Sequence, residues 1–246
     1  MRAQLASEVI KLRSTRTTTA LVGSMLALIV TVVLLHGYAL PAANVETPSD
    51  QLTFLIGWGE VLGALFAGLF GAISFTGEVR YGTIRPTLLV TPRREDVVAA
   101  KCVAASLTGL AFGVIATTAA AIAGRIALAV RGLDDTLNSG DYVLFILGGA
   151  VASALWAMIG LGVGAVVRSQ VPTVVGLVIW VLFVESILVE NAPGLGKFAP
   201  SALGQTLSGL RPDTLLAPAL GALLLAVYAA TALVAGTLMT SRRDFV

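Results

Sequence analysis

The chain has 246 residues, of which 57% are hydrophobic and 12% charged, with a net charge of +2 and a mean hydropathy of +0.91. A soluble domain carries about 25% charged residues, and a surface this poor in charge cannot face water on all sides. A soluble globular enzyme and a disordered chain are excluded, and an integral membrane protein is the starting reading.

Taken in chain order, residues 5–16 come first. Leu5, Val9 and Leu12 share one stripe while Glu8, Lys11 and Arg16 lie elsewhere, a pattern that predicts an amphipathic helix lying in the membrane interface. The alternative is a basic cytoplasmic tail. Six segments then carry the ~20 apolar residues needed to cross a bilayer: 20–40, 54–76, 103–124, 143–166, 172–189 and 216–239. The fold class is therefore an all-α integral membrane protein, read as one transmembrane domain over 1–246. Pro41 ends the first span, because proline cannot continue a helix. Pro172 stands at the start of the fifth, where its missing N–H costs nothing. A cleaved signal peptide competes for the first span, with Leu40-Pro41-Ala42-Ala43 as its cleavage site, but the apolar stretch is longer than an h-region.

Charge placement orients the chain. With a cytoplasmic N-terminus, twelve of the 16 Lys and Arg fall on inside segments and four (Arg125, Arg131, Lys197, Arg211) outside. This asymmetry predicts that both termini are cytoplasmic. Single Cys102 and single His36 cannot build an internal disulfide or a His/Cys metal cluster. Nothing in the pattern points to a nucleic-acid partner.

The loop after the second span is the most informative segment. Eight of the 25 residues from 77 to 101 are charged, yet Val79, Ile84, Leu88, Leu89 and Val90 are interspersed. A merely solvated loop does not need them, whereas a docking helix needs an apolar anchor and a charged rim. A topological, positive-inside anchor is the plainer alternative. The run Glu-x-x-x-Gly-Thr-Ile-Arg-x-x-Leu-x-x-x-Pro-x-Arg, from Glu78 to Arg94, with Lys101 at the next helix start, resembles the first cytoplasmic loop of type-2 ABC exporter permeases. The opening Glu8-Val9-Ile10-Lys11-Leu12-Arg13 resembles their N-terminal interfacial helix.

The resemblance implies half of the membrane part of a transporter in a cell membrane, paired with a second copy or a paralogue. Two separate ATPase subunits would carry ATP and Mg, and a cytoplasmic coupling helix would touch them. Glu78, Gly82, Thr83, Arg85, Pro92 and Arg93 are the matching positions, with Arg80 and Arg94 in the same loop. It also implies short helices capping an outer gate in 190–215. The residues themselves agree on the division of labour. A phosphate-cradling loop needs Gly-x-x-x-x-Gly-Lys-Ser/Thr, and the sequence contains no such run. Any ATP must then be bound by another chain.

Within the spans, Glu60 and Glu185 stand out, because a carboxylate in mid-membrane usually faces a cavity or a partner. With Arg125 they form a candidate outer cluster: either two acids lining an exit path that favours a cationic amphiphile, or a structural ion pair. Trp156 and Trp180 fall near mid-span, as cavity lining or as packing. Glycines at 59/63, 109/113 and 160/164 have the spacing that lets helices approach closely. His36 reads as a polar interface residue. The leading expectation is a permease moving a hydrophobic or amphipathic drug, lipid or peptide. The alternatives are a proton-coupled secondary transporter using Glu60 or Glu185, and a non-transporting membrane partner of an ATPase.

Overall fold

The computed structural model describes residues 7, 8, 10, 11, 15–39, 47–83, 94–134, 137–209 and 216–242. Among them there are no strands, and six helical stretches are long and apolar enough to cross a membrane. Helix α1 (Arg16–Leu34) continues into a π-helical segment, Leu35–Ala39. Helix α2 is Pro48–Arg80, α3 is Arg94–Val130 and α4 is Ser139–Val167. Helix α5 (Gln170–Ile179) runs through a second π-helical segment, Trp180–Val184, into α6 (Glu185–Asn191). Short helices α7 (Pro193–Gly196) and α8 (Pro200–Leu207) precede α9 (Pro218–Arg242).

The helix starts have local causes. At α2, Thr47 and Asp50 form a reciprocal capping box around Pro48, satisfying N–H groups that a helix start leaves without partners. Asn138 and Asp141 do the same for α4. Pro172 lies in the first turn of α5, as expected. Arg168 ends α4 in the left-handed region at φ 59°, and its Nη2 donates to the Met239 carbonyl at 2.8 Å, tying the turn to α9.

Helices α2, α3 and α4 pack mutually and form the centre, with α9 against α4 and α1 against α2 and α3. Helix α2 is the hub. Of its most apolar stretch 72% is buried, against 17% for α1 and 22% for α9. The glycine pairs explain how these helices come together. A Cβ on Gly59 would stand 2.5 Å from the Ala120 Cβ, and one on Gly109 would stand 2.6 Å from the Ser153 carbonyl oxygen. One on Gly160 would run into the Gly68 carbonyl. All three predicted pairs thus lie at helix crossings, where only a missing side chain allows the backbones to meet.

Several boundaries differ from expectation. The first span begins at Arg16 rather than residue 20. The third runs from Arg94 to Val130, well beyond 103–124, so Arg125 is inside a helix rather than at its end. Helices project past the hydrocarbon layer when they have other helices to lean on. At 1.5 Å per residue the 33-residue α2 is about 50 Å long, against a core of ~30 Å. In the 190–215 segment the short helices α7 and α8 stand where the resemblance implies short helices. Leu203 is fully buried there, while Leu195 and Phe198 are exposed. Pro41, Pro212, Leu5, Val9 and Leu12 lie outside the described residues.

Candidate functional site

Two groups of polar residues occupy opposite halves of α2. The first gathers the two motifs that the sequence kept apart. Residues 8 and 11 are helical. The Lys11 Nζ lies 2.9 Å from Glu8 Oε1 and 2.6 Å from Glu78 Oε1; the Lys101 Nζ lies 3.2 and 2.7 Å from the same two oxygens. Two acids and two lysines alternate, so each charge has two opposite neighbours. Lys101, Glu8 and Glu78 are buried and Lys11 is half-buried. Burial opposes the charge on Lys11, but hydrogen bonds and Coulombic attraction from Glu78 and Glu8 outweigh it and raise its pKa above the ordinary 10.5. The amphipathic pattern puts Glu8 off the apolar stripe. In the structure Glu8 turns inward to Lys101, while Ile10 is 66% exposed. A lysine on a neighbouring helix outcompetes water for that carboxylate.

The cluster fixes both ends of the first loop to the N-terminal helical turn. Beyond Glu78, Arg80 is exposed and donates to Gln170 Oε1 at 3.3 Å. Gly82 adopts φ +68° in the turn that ends α2, a region that glycine enters without steric cost. The Thr83 hydroxyl donates to the Glu78 carbonyl at 3.5 Å. Arg85, Pro92 and Arg93 lie outside the described residues; Arg94 opens α3, its side chain not described.

The second group surrounds a cavity of about 730 Å³ between the first half of α2 and the stretch from Val181 to Gln205. Phe54 and Trp58 form one wall, edge to face at 6.4 Å, and His36 stacks behind them, 5.1 Å from Trp58 and 5.8 Å from Phe54. Val181 and Leu182, from the second π-helical segment, form part of the facing wall. His36 itself belongs to the first such segment, so an interrupted helix flanks each side. Such π segments concentrate at functional sites. Glu185 also lines the cavity and is buried, its Oε2 accepting from the Ser201 N–H at 2.6 Å.

Glu60 and Glu185 both lie against α8, near Gly204 and at Ser201, and Arg125 pairs with neither. Glu60 is buried against Ser208, whose hydroxyl donates to its Oε2, and it is not part of the cavity lining. Arg125 instead stands over the Tyr142 ring at 5.8 Å. Neither acid is in an ion pair among the described residues. The helix period explains the split, since α2 turns Glu60 toward α4 and α8 while Trp58, two residues away, faces the cavity. Trp156 is buried against Gly68 as a core residue, and Trp180 is half-exposed; neither lines this cavity. Phe54, Trp58 and Ser201 were not singled out from sequence. Aromatics in an apolar span carry no signal of their own, because every face of that span is apolar.

Six membrane-capable helices among the described residues, packed around a small-residue core, make this a multi-pass membrane protein. The family model described as ABC-2 family transporter protein matches residues 6–218, and the chain belongs to that family. It is thus a membrane component of an ABC transporter, a class that associates with ABC ATPase subunits and is not itself the ATPase. No curated protein matches the chain at significant similarity.

Proposed function

We propose that the chain is one half of the membrane part of an ATP-driven exporter, pairing with a second copy or a paralogue, and that two ATPase subunits carrying ATP and Mg drive it by alternating access. Both termini are cytoplasmic in this reading, and the loop after α2 is the docking element. The family match supports it, and so does one structural observation. The cluster of Glu8, Lys11, Glu78 and Lys101 joins the N-terminal turn, α2 and α3 at the base of that loop. A push on the loop therefore reaches two central helices through buried ion pairs rather than through a flexible tether. The cargo is hydrophobic or amphipathic.

Co-purification in mild detergent tests this reading. A P-loop ATPase is expected to travel with the tagged protein, and Arg93→Glu is expected to weaken that association. Absence of any such ATPase from the wild-type preparation overturns the proposal.

A further inference from the structure

Of the described residues with a buried polar atom outside hydrogen-bonding geometry, three line the cavity: Trp58 through Nε1, Glu185 through Oε1 and Ser201 through Oγ. The Ser201 and Trp180 side chains stand beside the Glu185 carboxylate. Buried polar atoms are normally satisfied, and an unsatisfied one is costly. Such atoms also occur in the packed core, at Glu60, Thr117 and Ser153, but these three stand on the wall of a cavity, beside aromatic and apolar surface that a ligand can use. The chemistry needed is specific. Glu185 supplies an acceptor and a negative charge; Trp58 and Phe54 supply aromatic surface that attracts a cation; and Val181 and Leu182 supply apolar wall. The volume of about 730 Å³ is in the range of small-molecule sites. The formal charges on the lining are Glu185, Glu190 and Lys197, a balance of −1. Lys197 pairs with neither acid and lies 5.3 Å from the Phe198 ring.

We propose that this cavity binds an amphipathic ammonium, its N–H donating to the Glu185 carboxylate as that side chain turns toward the cavity, its charge against Trp58 and its apolar body along Phe54, Val181 and Leu182. This deepens the exporter reading by naming the cargo class, and it assigns the role to Glu185 alone, not to Glu60. The ammonium can belong to a free amphiphile or to a lipid headgroup.

The full chain contains three tryptophans, so Trp156→Phe with Trp180→Phe leaves Trp58 as the reporter on the cavity wall; because the Trp180 side chain stands beside Glu185, the ligand order is repeated in Trp156→Phe alone. Decylammonium, decanol and decanoate share one body and differ in charge. In maltoside micelles, decylammonium is expected to perturb Trp58 fluorescence at a concentration about tenfold lower than decanoate or decanol, the scale of one charge-assisted hydrogen bond. Glu185→Gln is expected to erase the preference and Glu60→Gln to leave it. Equal response to all three ligands, or a preference that survives Glu185→Gln, overturns the proposal. Should a variant fail to fold, the order of the three ligands on the wild-type chain, read by calorimetry, decides. Added phosphatidylethanolamine that competes, where phosphatidylglycerol does not, marks a lipid headgroup as the occupant; no competition marks a free amphiphile. Binding is measured without ATPase, so failure here is separable from failure of the co-purification.

Discussion

Glu78 and Glu185 are the same residue type on neighbouring membrane-embedded elements, and both are buried, but their surroundings differ in kind. At Glu78 two lysines saturate one carboxylate oxygen from two directions. At Glu185 one oxygen accepts a backbone N–H, and no cation pairs with either oxygen among the described residues. Each acid keeps one oxygen without a partner, so what separates them is charge compensation. Glu78 is held between two lysines, whereas Glu185 has only neutral neighbours. About 20 residues of α2, or roughly 30 Å at 1.5 Å per residue, separate Trp58 from Glu78, so one helix connects an ion-paired end to the cavity.

This contrast can be broken most severely at Glu78. Glu78→Gln leaves Lys101 buried beside a neutral neighbour, and removing one member of a buried ion pair costs about 3–5 kcal/mol. Thermal unfolding in detergent is expected to show that loss, and an unchanged transition would make the cluster ornamental. Next comes the connection itself. Gly160→Ala drives a Cβ into the Gly68 carbonyl, and overpacking of this kind costs about 1–3 kcal/mol, read by the same unfolding measurement. Lys11 is more exposed than its partners, with 39% of its side chain accessible, so Lys11→Met is expected to cost below about 1 kcal/mol. Because its folded pKa is raised, that contribution is complete below the ordinary value of 10.5 and is lost as pH rises through the folded value. The difference between wild type and Lys11→Met should therefore be flat from neutral pH to the ordinary lysine range and close only in strong alkali. The smallest effect is expected at Glu185→Gln. The amide oxygen still accepts from Ser201, so stability should change by less than about 1 kcal/mol, in contrast to the same substitution at Glu78. Equal costs at the two positions would erase the distinction drawn here.

Much of this architecture was legible in the sequence. Apolar stretches of ~20 residues located all six spans, because a bilayer leaves a chain few other ways to satisfy its backbone. Glycine spacing marked the crossings at Gly59, Gly109 and Gly160. The two charged motifs named all four members of the cluster, Glu8, Lys11, Glu78 and Lys101, without saying that they meet. Arg125 misled the reading, because its place at a predicted helix end depended on a boundary that packing moved to Val130.

The sequence by itself determined the number of spans, the family and the residues that carry charge, since those follow from the solvent each segment can tolerate. Which buried acid meets lysines and which meets only neutral donors depended on the tertiary structure. That choice turns on the direction of a side chain around a helix axis and on partners more than a hundred residues away, Ser208 for Glu60, or on a neighbouring short helix, Ser201 for Glu185. In a helix that is apolar on every side, periodicity carries no record of which face meets protein and which meets a cavity.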